Sequence, residues 1–388
     1  MDFLKENDNK VEELFKQYIE LQPDSEEAYY PDLFIKDIHQ AYLKENKVRL
    51  PHPLYATWDI ISECNLRCVF CSATAPNTKC NYVENSNALS IAKRIISSQI
   101  KYISIRGGEP SLCKNLPEVV ATLVNAGIFV EIVTNGIHID DDFFKTVSIL
   151  PTSMYRIKIS IDSFNSLTND SQRGKSSFEN ATKAMKVCQK WNIPFRTQMV
   201  ITKLNYKDIW DTYNYCASFD AASFGCMLLL PVGRGKDSKL KISLNEEILI
   251  QLIRIIQANK KTVLEKIGLG VDAISYYRPY VSNQKLTNQD AINIGHLKCN
   301  GAKTRIYINP FGDVYPCDLL QYDKYYLGNI LQNKDFWNSE NALEFCEINR
   351  TNIPKCKDCK VLGCNMGCLA ISLENSKNSE HYIPNCEV

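Results

Sequence analysis

The stretch YATWDIISECNLRCVFCSA, residues 55 to 73, joins a β-rich run to a loop carrying Cys64, Cys68 and Cys71 in CxxxCxxC spacing. YATWDIIS (55–62) reads as a strand, because aromatic and β-branched residues dominate it. The same rhythm repeats outward from it. KYISIRG (101–107), FVEIVTNG (129–136), YRIKISIDS (155–163), FRTQMVIT (195–202) and FGCMLLLP (224–231) read as further strands. Between them ALSIAKRIISSQ, LPEVVATLVNAG, DDFFKTVSIL, SFENATKAMKVCQKW and KDIWDTYNYC carry apolar residues at helical spacing. Repeated βα units of this length predict a parallel sheet with helical crossovers, either a partial barrel or a doubly wound sheet. In both, functional loops follow the carboxyl ends of the strands. The cysteine triplet sits in such a place.

The chain has 388 residues, a formal net charge of +1 and 16 cysteines. This length buries a large core without disulfide staples. The near-zero charge gives no sign of a nucleic-acid or membrane partner. The opening MDFLKENDNK is charged and no long apolar run follows, so a cytoplasmic location is expected. In that compartment many cysteines point to metal or cluster ligation. Cys80, Cys113, Cys188, Cys216, Cys226 and Cys346 are scattered, and packing is their default role. Residues 1–54 read as a helical extension, through VEELFKQYIEL and DLFIKDIHQAYLKEN. A core follows over 55–235, then a bridge over 236–296 with a helix in LNEEILIQLIRIIQANKK, then a short-stranded, cysteine-rich region over 297–388.

A cysteine triplet can be half a zinc site, a set of buried thiols or part of a four-cysteine electron-transfer cluster. Zinc sites draw paired ligands from two places. A CxxxCxxC loop instead wraps one cubane and leaves its fourth iron open to a substrate or cofactor. With Phe70 as the aromatic before the last cysteine, the loop resembles the signature of the radical SAM superfamily. GGEP (107–110) after the second strand, SID (160–162) ending the fourth and PVGRG (231–235) ending the sixth resemble that family's further elements in order. The resemblance implies a partial (β/α)6 TIM-like barrel and contacts to S-adenosylmethionine (SAM) from Phe70, Gly107, Gly108, Glu109, Ser160, Asp162 and Gly233. It also implies reductive cleavage of SAM to a 5′-deoxyadenosyl radical that removes hydrogen from an unactivated carbon. A flavodoxin- or ferredoxin-type reductant would supply the electron.

Cys299, Gly312 and Cys317 stand in C-x12-G-x4-C spacing, followed by Cys356, Cys359, Cys364, Cys368 and Cys386. The CKDC pair alone would suit a zinc ribbon. All seven cysteines, with INPFGDVYPCDLL and LGNI, resemble the SPASM extension of radical SAM enzymes, although the third spacer is four residues where five is commoner. The resemblance implies three 4Fe–4S clusters in all. Cys356, Cys359, Cys364 and Cys386 would hold the outer auxiliary cluster, and Cys299, Cys317 and Cys368 the inner one. NGAKTR (300–305) lacks a fourth inner ligand, for which Cys346 is a spare candidate.

Enzymes of this kind most often modify peptides or proteins. The favoured expectation is a ribosomal-peptide maturase forming an oxidative crosslink on a peptide or protein substrate. A separate leader-binding protein is one way to present it, since the N-terminal segment looks helical and short for a leader-binding domain. The alternatives are formylglycine formation of the anaerobic sulfatase-maturase type, a tetrapyrrole-type small-molecule oxidation and a non-catalytic iron–sulfur electron carrier. Asp318 matches the position of an aspartate proposed as a base in sulfatase maturases, and a turn cap is its plainer reading. GGEP weighs against a carrier, which needs no SAM site.

Overall fold

A computed structural model describes residues 49–75, 85–236, 242–244, 268–271, 299–332, 335–348 and 368–375. The helices expected in residues 1–50, and nearly all of the one expected in the bridge, lie outside them.

Each of the expected strands forms: β1 (Tyr55–Ile61), β2 (Tyr102–Gly107), β3 (Phe129–Thr134), β4 (Tyr155–Ser160), β5 (Phe195–Ile201) and β6 (Ser223–Leu228). The expected helices follow as α1 (Ala88–Ser97), α2 (Leu116–Asn125), α3 (Asp141–Val147), α5 (Ser177–Lys190) and α6 (Ile209–Ala217). One further helix, α4 (Ser166–Arg173), precedes α5 and was not expected. Its sequence SLTNDSQR has no apolar stripe. Asn165 caps it by accepting from the Leu167 and Thr168 N–H groups, and it buries Asn169, Gln172 and Arg173.

Strands β1 to β6 stand side by side in chain order, all parallel, with β7 (Gly268–Val271) beyond β6. A doubly wound sheet would reverse its order at a switch point. None occurs from β1 to β7, so this part of the sheet follows the partial-barrel alternative. On the other flank β8 (Arg305–Ile308) runs parallel to β1, with Tyr55 opposite Arg305 and Trp58 opposite Ile308. β9 (Asp313–Tyr315) and β10 (Gly328–Asn329) continue the sheet antiparallel. The cysteine-rich region therefore extends the sheet of the core. It closes with α7 (Glu340–Cys346) and α8 (Leu369–Asn375).

Side chains alternate across a strand. Ala56, Trp58 and Ile60 of β1, Ile103 and Ile105 of β2, and Ile157 and Ile159 of β4 join one apolar core with the helices. The helices supply matching stripes, as in Ala88, Ile91, Ala92 and Ile95 of α1. The intervening strand residues face a cavity of about 780 Å³. Thr57 and Asp59, Ser104 and Arg106, and Lys158 and Ser160 all line it. The interior of an ordinary (β/α)8 barrel is filled by branched apolar side chains. Here that space is polar and open. Cys113, Cys188, Cys216, Cys226 and Cys346 are buried and in no disulfide, which fits a packing role, and Cys80 lies outside the described residues. No described helix is long and apolar enough to cross a membrane.

Candidate active site

The loop after β1 brings Cys64, Cys68 and Cys71 to the wall of the cavity, with Phe70 beside them. Its backbone is held from several sides. Val69 donates to the Gln172 carbonyl at 2.9 Å, and Asn135 Nδ2 donates to Asn65 Oδ1 at 2.8 Å. Arg234 donates through Nε to the Cys68 carbonyl at 2.9 Å and through its backbone N–H to the Cys71 carbonyl at 3.0 Å. Gly233 has a φ of +53°, and a Cβ there would lie 2.6 Å from the Cys71 and Ser72 carbonyl oxygens. The glycine expected at a SAM contact therefore seats the PVGRG turn on the cysteine loop, and Arg234 is the turn's residue on the cavity wall.

GGEP closes on the same loop. Gly108 donates to the Ile61 carbonyl at 2.9 Å and Glu109 to the Glu63 carbonyl at 2.8 Å. A Cβ on Gly108 would stand 1.7 Å from the Glu63 oxygen, so only glycine permits this approach. Glu109 is buried. Its Oε1 accepts from Ser111 N, Ser111 Oγ and Thr134 Oγ1, and its Oε2 from Asn135 N at 2.7 Å. Burial raises its pKa even against these donors. Both carboxylate oxygens are thus spent on tying the β2 loop to the β3 loop, while the residue still borders the cavity.

Ser160 lines the cavity. Asp162, also expected near SAM, is fully buried and does not line the cavity. Its Oδ1 accepts from Val200 N at 2.8 Å, and its Oδ2 pairs with Arg173 Nε at 2.6 Å. Asp162 acts through Arg173, which lines the cavity with its guanidinium 5.3 Å from the centre of the Phe70 ring. Arg173 was missed because α4 was missed.

Across the cavity Arg106 joins two carboxylates. Its Nη2 lies 2.6 Å from Asp318 Oδ2 and its Nε 3.2 Å from Asp59 Oδ1, and Tyr307 donates to Asp59 Oδ2 at 2.8 Å. Burial would raise the Asp318 pKa, but Arg106 and Arg305 outweigh it and hold the carboxyl down at about 2. Asp318 therefore stays ionised, as a base must, yet accepts a proton less readily than a free carboxylate. The Cys317 thiol faces it at 3.2 Å. Glu131 meets Arg156 Nε and Arg196 Nε, each at 2.8 Å, and Lys158 at 3.9 Å. In the sequence these groups are single charges inside otherwise uncharged strands, Arg106 in YISIRG, Glu131 in FVEIVT and Arg196 in FRTQMVI, with Arg156 and Lys158 two residues apart in YRIKIS.

The two described cysteine groups share a local design. Leu66 N donates to Cys64 Sγ at 3.3 Å, and Gly301 N donates to Cys299 Sγ at 3.4 Å. A backbone donor two residues on stabilises a thiolate. Burial pushes the unligated thiols up, Cys64 to about 12 and Cys68 to about 11. Each thiol would therefore have to release a proton on binding a cluster. Among the described residues no three His, Cys, Asp or Glu side chains gather as ligands of a single metal ion. A cubane spreads its ligands over separate irons, so its cysteines surround a volume instead of meeting at a point. The Cys346 thiol donates to the Ala302 carbonyl at 3.2 Å. Cys356, Cys359, Cys364 and Cys386 lie outside the described residues.

Residues 58–216 match the family model of the radical SAM superfamily, and residues 299–360 match that of an iron–sulfur cluster-binding domain, SPASM. The chain carries a radical SAM domain and a SPASM domain. Such a radical SAM chain uses S-adenosylmethionine and iron–sulfur clusters, and it is an enzyme. It is 25% identical to the mycofactocin maturase MftC of Mycobacterium tuberculosis, over 83% of this chain and 79% of that one. It is 24% identical to the AdoMet-dependent heme synthase of Methanosarcina barkeri, over 76% of this chain and 84% of the relative. Its fold resembles Streptococcus suis SuiB bound to S-adenosylmethionine, with a TM-score of 0.70 at 19% identity, covering 92% of this chain and 83% of the other.

Proposed function

We propose that this radical SAM enzyme is a peptide maturase that oxidatively modifies a precursor peptide, with 55–235 as the SAM-cleaving core, 297–388 as the SPASM domain, and 1–54 and 236–296 as extension and bridge. One observation carries the reading. A single cavity is lined both by Cys64, Cys68 and Cys71 and by Arg305 and Asp318, which flank Cys317. Its volume of about 780 Å³ falls among cavities that enclose drug-sized ligands. A relative named as a maturase of mycofactocin, and a neighbouring fold solved with a precursor peptide, favour a peptide in that space.

When bound, SAM and its cluster would supply radical hydrogen abstraction, and auxiliary clusters would supply an electron acceptor. The chain's own groups position and protect this chemistry. Arg173, fixed by Asp162, offers a guanidinium to the SAM carboxylate. Gly107 and Gly108 lay backbone along the cavity for the SAM amino group, and Ser160 adds a hydroxyl. Asp318, ionised beside Cys317, accepts the proton that leaves the substrate. Cys299, Cys317 and Cys368 would hold the inner cluster, and Cys356, Cys359, Cys364 and Cys386 the outer, giving three clusters and about twelve irons per chain. A flavodoxin- or ferredoxin-type protein is the proposed reductant, in the cytoplasm.

The test is anaerobic incubation of reconstituted enzyme with SAM, dithionite and precursor peptides. The expected products are 5′-deoxyadenosine and a peptide lighter by two hydrogens. Absence of 5′-deoxyadenosine would return the protein to the electron carriers. A second reading, oxidation of a small carboxylate-rich molecule, draws on Lys158 and Arg196, the two cations beside Glu131 that line the cavity. Turnover of a tetrapyrrole acid, with every peptide unchanged, would favour it.

A further inference from the structure

Arg305 opens β8 and lines the cavity, yet its guanidinium is also turned toward the inner cysteine set. Its Nη2 lies 3.5 Å from Cys317 Sγ. Cys299 and Asp318 act on the same guanidinium, and Arg305 in turn acts on Cys368. Arg305 thus contacts the Cys317 sulfur and is within electrostatic reach of Cys299 and Cys368, and Lys303 is within the same reach of Cys299. The Arg305 backbone is fixed by two contacts, from Arg305 N to the Asn300 carbonyl at 3.1 Å and from Ala302 N to the Arg305 carbonyl at 2.9 Å. Arg106 neutralises Asp318 from the other side at 2.6 Å. Arg305 shares Asp318 with Arg106, while its Nη2 makes the contact with the sulfur.

A donor and a positive charge at a ligand sulfur stabilise the more negative, reduced form of a cluster. Hydrogen bonds to sulfur and local charge are among the levers that set cluster potentials. We propose that Arg305 raises the reduction potential of the inner auxiliary cluster through its N–H contact with Cys317, and thereby makes the cavity-facing cluster the better electron acceptor. The proposal rests on the inner cluster assigned above. Arg305 is a positioning and tuning residue, and it takes no part in hydrogen removal.

The test is a redox titration of the reconstituted holoenzyme followed by electron paramagnetic resonance, with iron counted per chain. The inner cluster's signal is the one that a Cys317→Ala variant removes. In Arg305→Met that signal is expected to titrate at lower potential. A hydrogen bond to a charged group is worth enough to lower the ratio of reduced to oxidised cluster about tenfold at a fixed potential. For a one-electron couple that is about 59 mV. Arg305→Lys, which keeps the charge, is expected to shift less, and the SAM-binding cluster should keep its midpoint. An unmoved inner midpoint in Arg305→Met at full iron content would overturn the proposal. So would loss of inner-cluster iron in both variants, which would make Arg305 a structural prop. If Cys317→Ala removes no signal at all, the assignment of the inner cluster fails first and takes this inference with it.

Discussion

The two faces of strands β1 to β5 obey different rules. The helix side is apolar, with Trp58, Ile60, Ile105 and Ile157 buried among helix side chains. The cavity side carries Asp59, Arg106, Glu131, Lys158 and Arg196 on the same strands. On the helix side stability comes from area removed from water, and a lost methyl is a local loss. On the cavity side each charge is held by a specific partner, and removing one strands the others. Catalytic polarity is thus mounted on a scaffold whose stability is supplied from the opposite face.

The largest effect is expected at the cysteine loop. The triple variant Cys64→Ala, Cys68→Ala, Cys71→Ala should abolish 5′-deoxyadenosine formation while retaining the iron of the C-terminal sites, as read by product analysis and iron determination. Continued cleavage of SAM would remove the triplet from the active site. Next comes Glu131→Gln, which leaves Arg156, Arg196 and Lys158 without their carboxylate. Breaking a buried pair costs about 3–5 kcal/mol, measurable by denaturant unfolding. Burial pulls the Glu131 pKa up, but Arg196, Arg156 and Lys158 outweigh it and hold the carboxyl well below its ordinary value. Its folded value therefore lies below its unfolded one. Its contribution is full above about pH 4.3, the unfolded glutamate value, and is lost as pH falls toward the folded value. The variant should show a flatter acid limb than the wild type, and an equally steep one would assign that limb to other carboxylates.

Gly108→Ala comes third. A methyl group in the space held by the Glu63 carbonyl forces the GGEP loop off the cysteine loop. SAM affinity should fall about tenfold or more, equivalent to ~1.4 kcal/mol, by equilibrium binding to the reconstituted enzyme. The smallest effect belongs to the helix side. Ile157→Val should cost about 0.5–1.5 kcal/mol and leave SAM cleavage unchanged. If it cost as much as Glu131→Gln, the contrast between the faces would collapse.

The strands β1 to β6 and five helices were legible because each buries a regular apolar set, the period-two and 3.6-period signals that survive in sequence. The cysteine triplet and GGEP were legible because ligand spacing and glycine requirements are local. α4 was not, since its buried residues are the polar Asn169, Gln172 and Arg173, satisfied by partners elsewhere in the chain. Arg173 lies in that helix, so its pairing with Asp162 was equally hidden. β8 to β10 match the short strands expected after residue 297, but the pairing of β8 with β1 joins residues far apart in sequence, so no local pattern announces it. The φ of Gly233 and its close approach to the Cys71 and Ser72 carbonyls tie it to the cysteine loop, a contact that spacing alone does not signal.

One feature of the sheet bears on how the chain is made. Strand β1 presents one edge to β2, which follows closely, and the other to β8, whose first residue Arg305 pairs with Tyr55. Leu54 N donates to the Thr304 carbonyl and Trp337 Nε1 to the Leu50 carbonyl, binding the same early segment to late residues. As the protein leaves the ribosome, β1 has an unclaimed edge until more than half of the polypeptide has followed. An open strand edge is a template for intermolecular pairing, and contacts of such long separation form slowly. Nascent chains stalled before residue 305 should aggregate more readily than the finished protein, with the first strand as the adhesive.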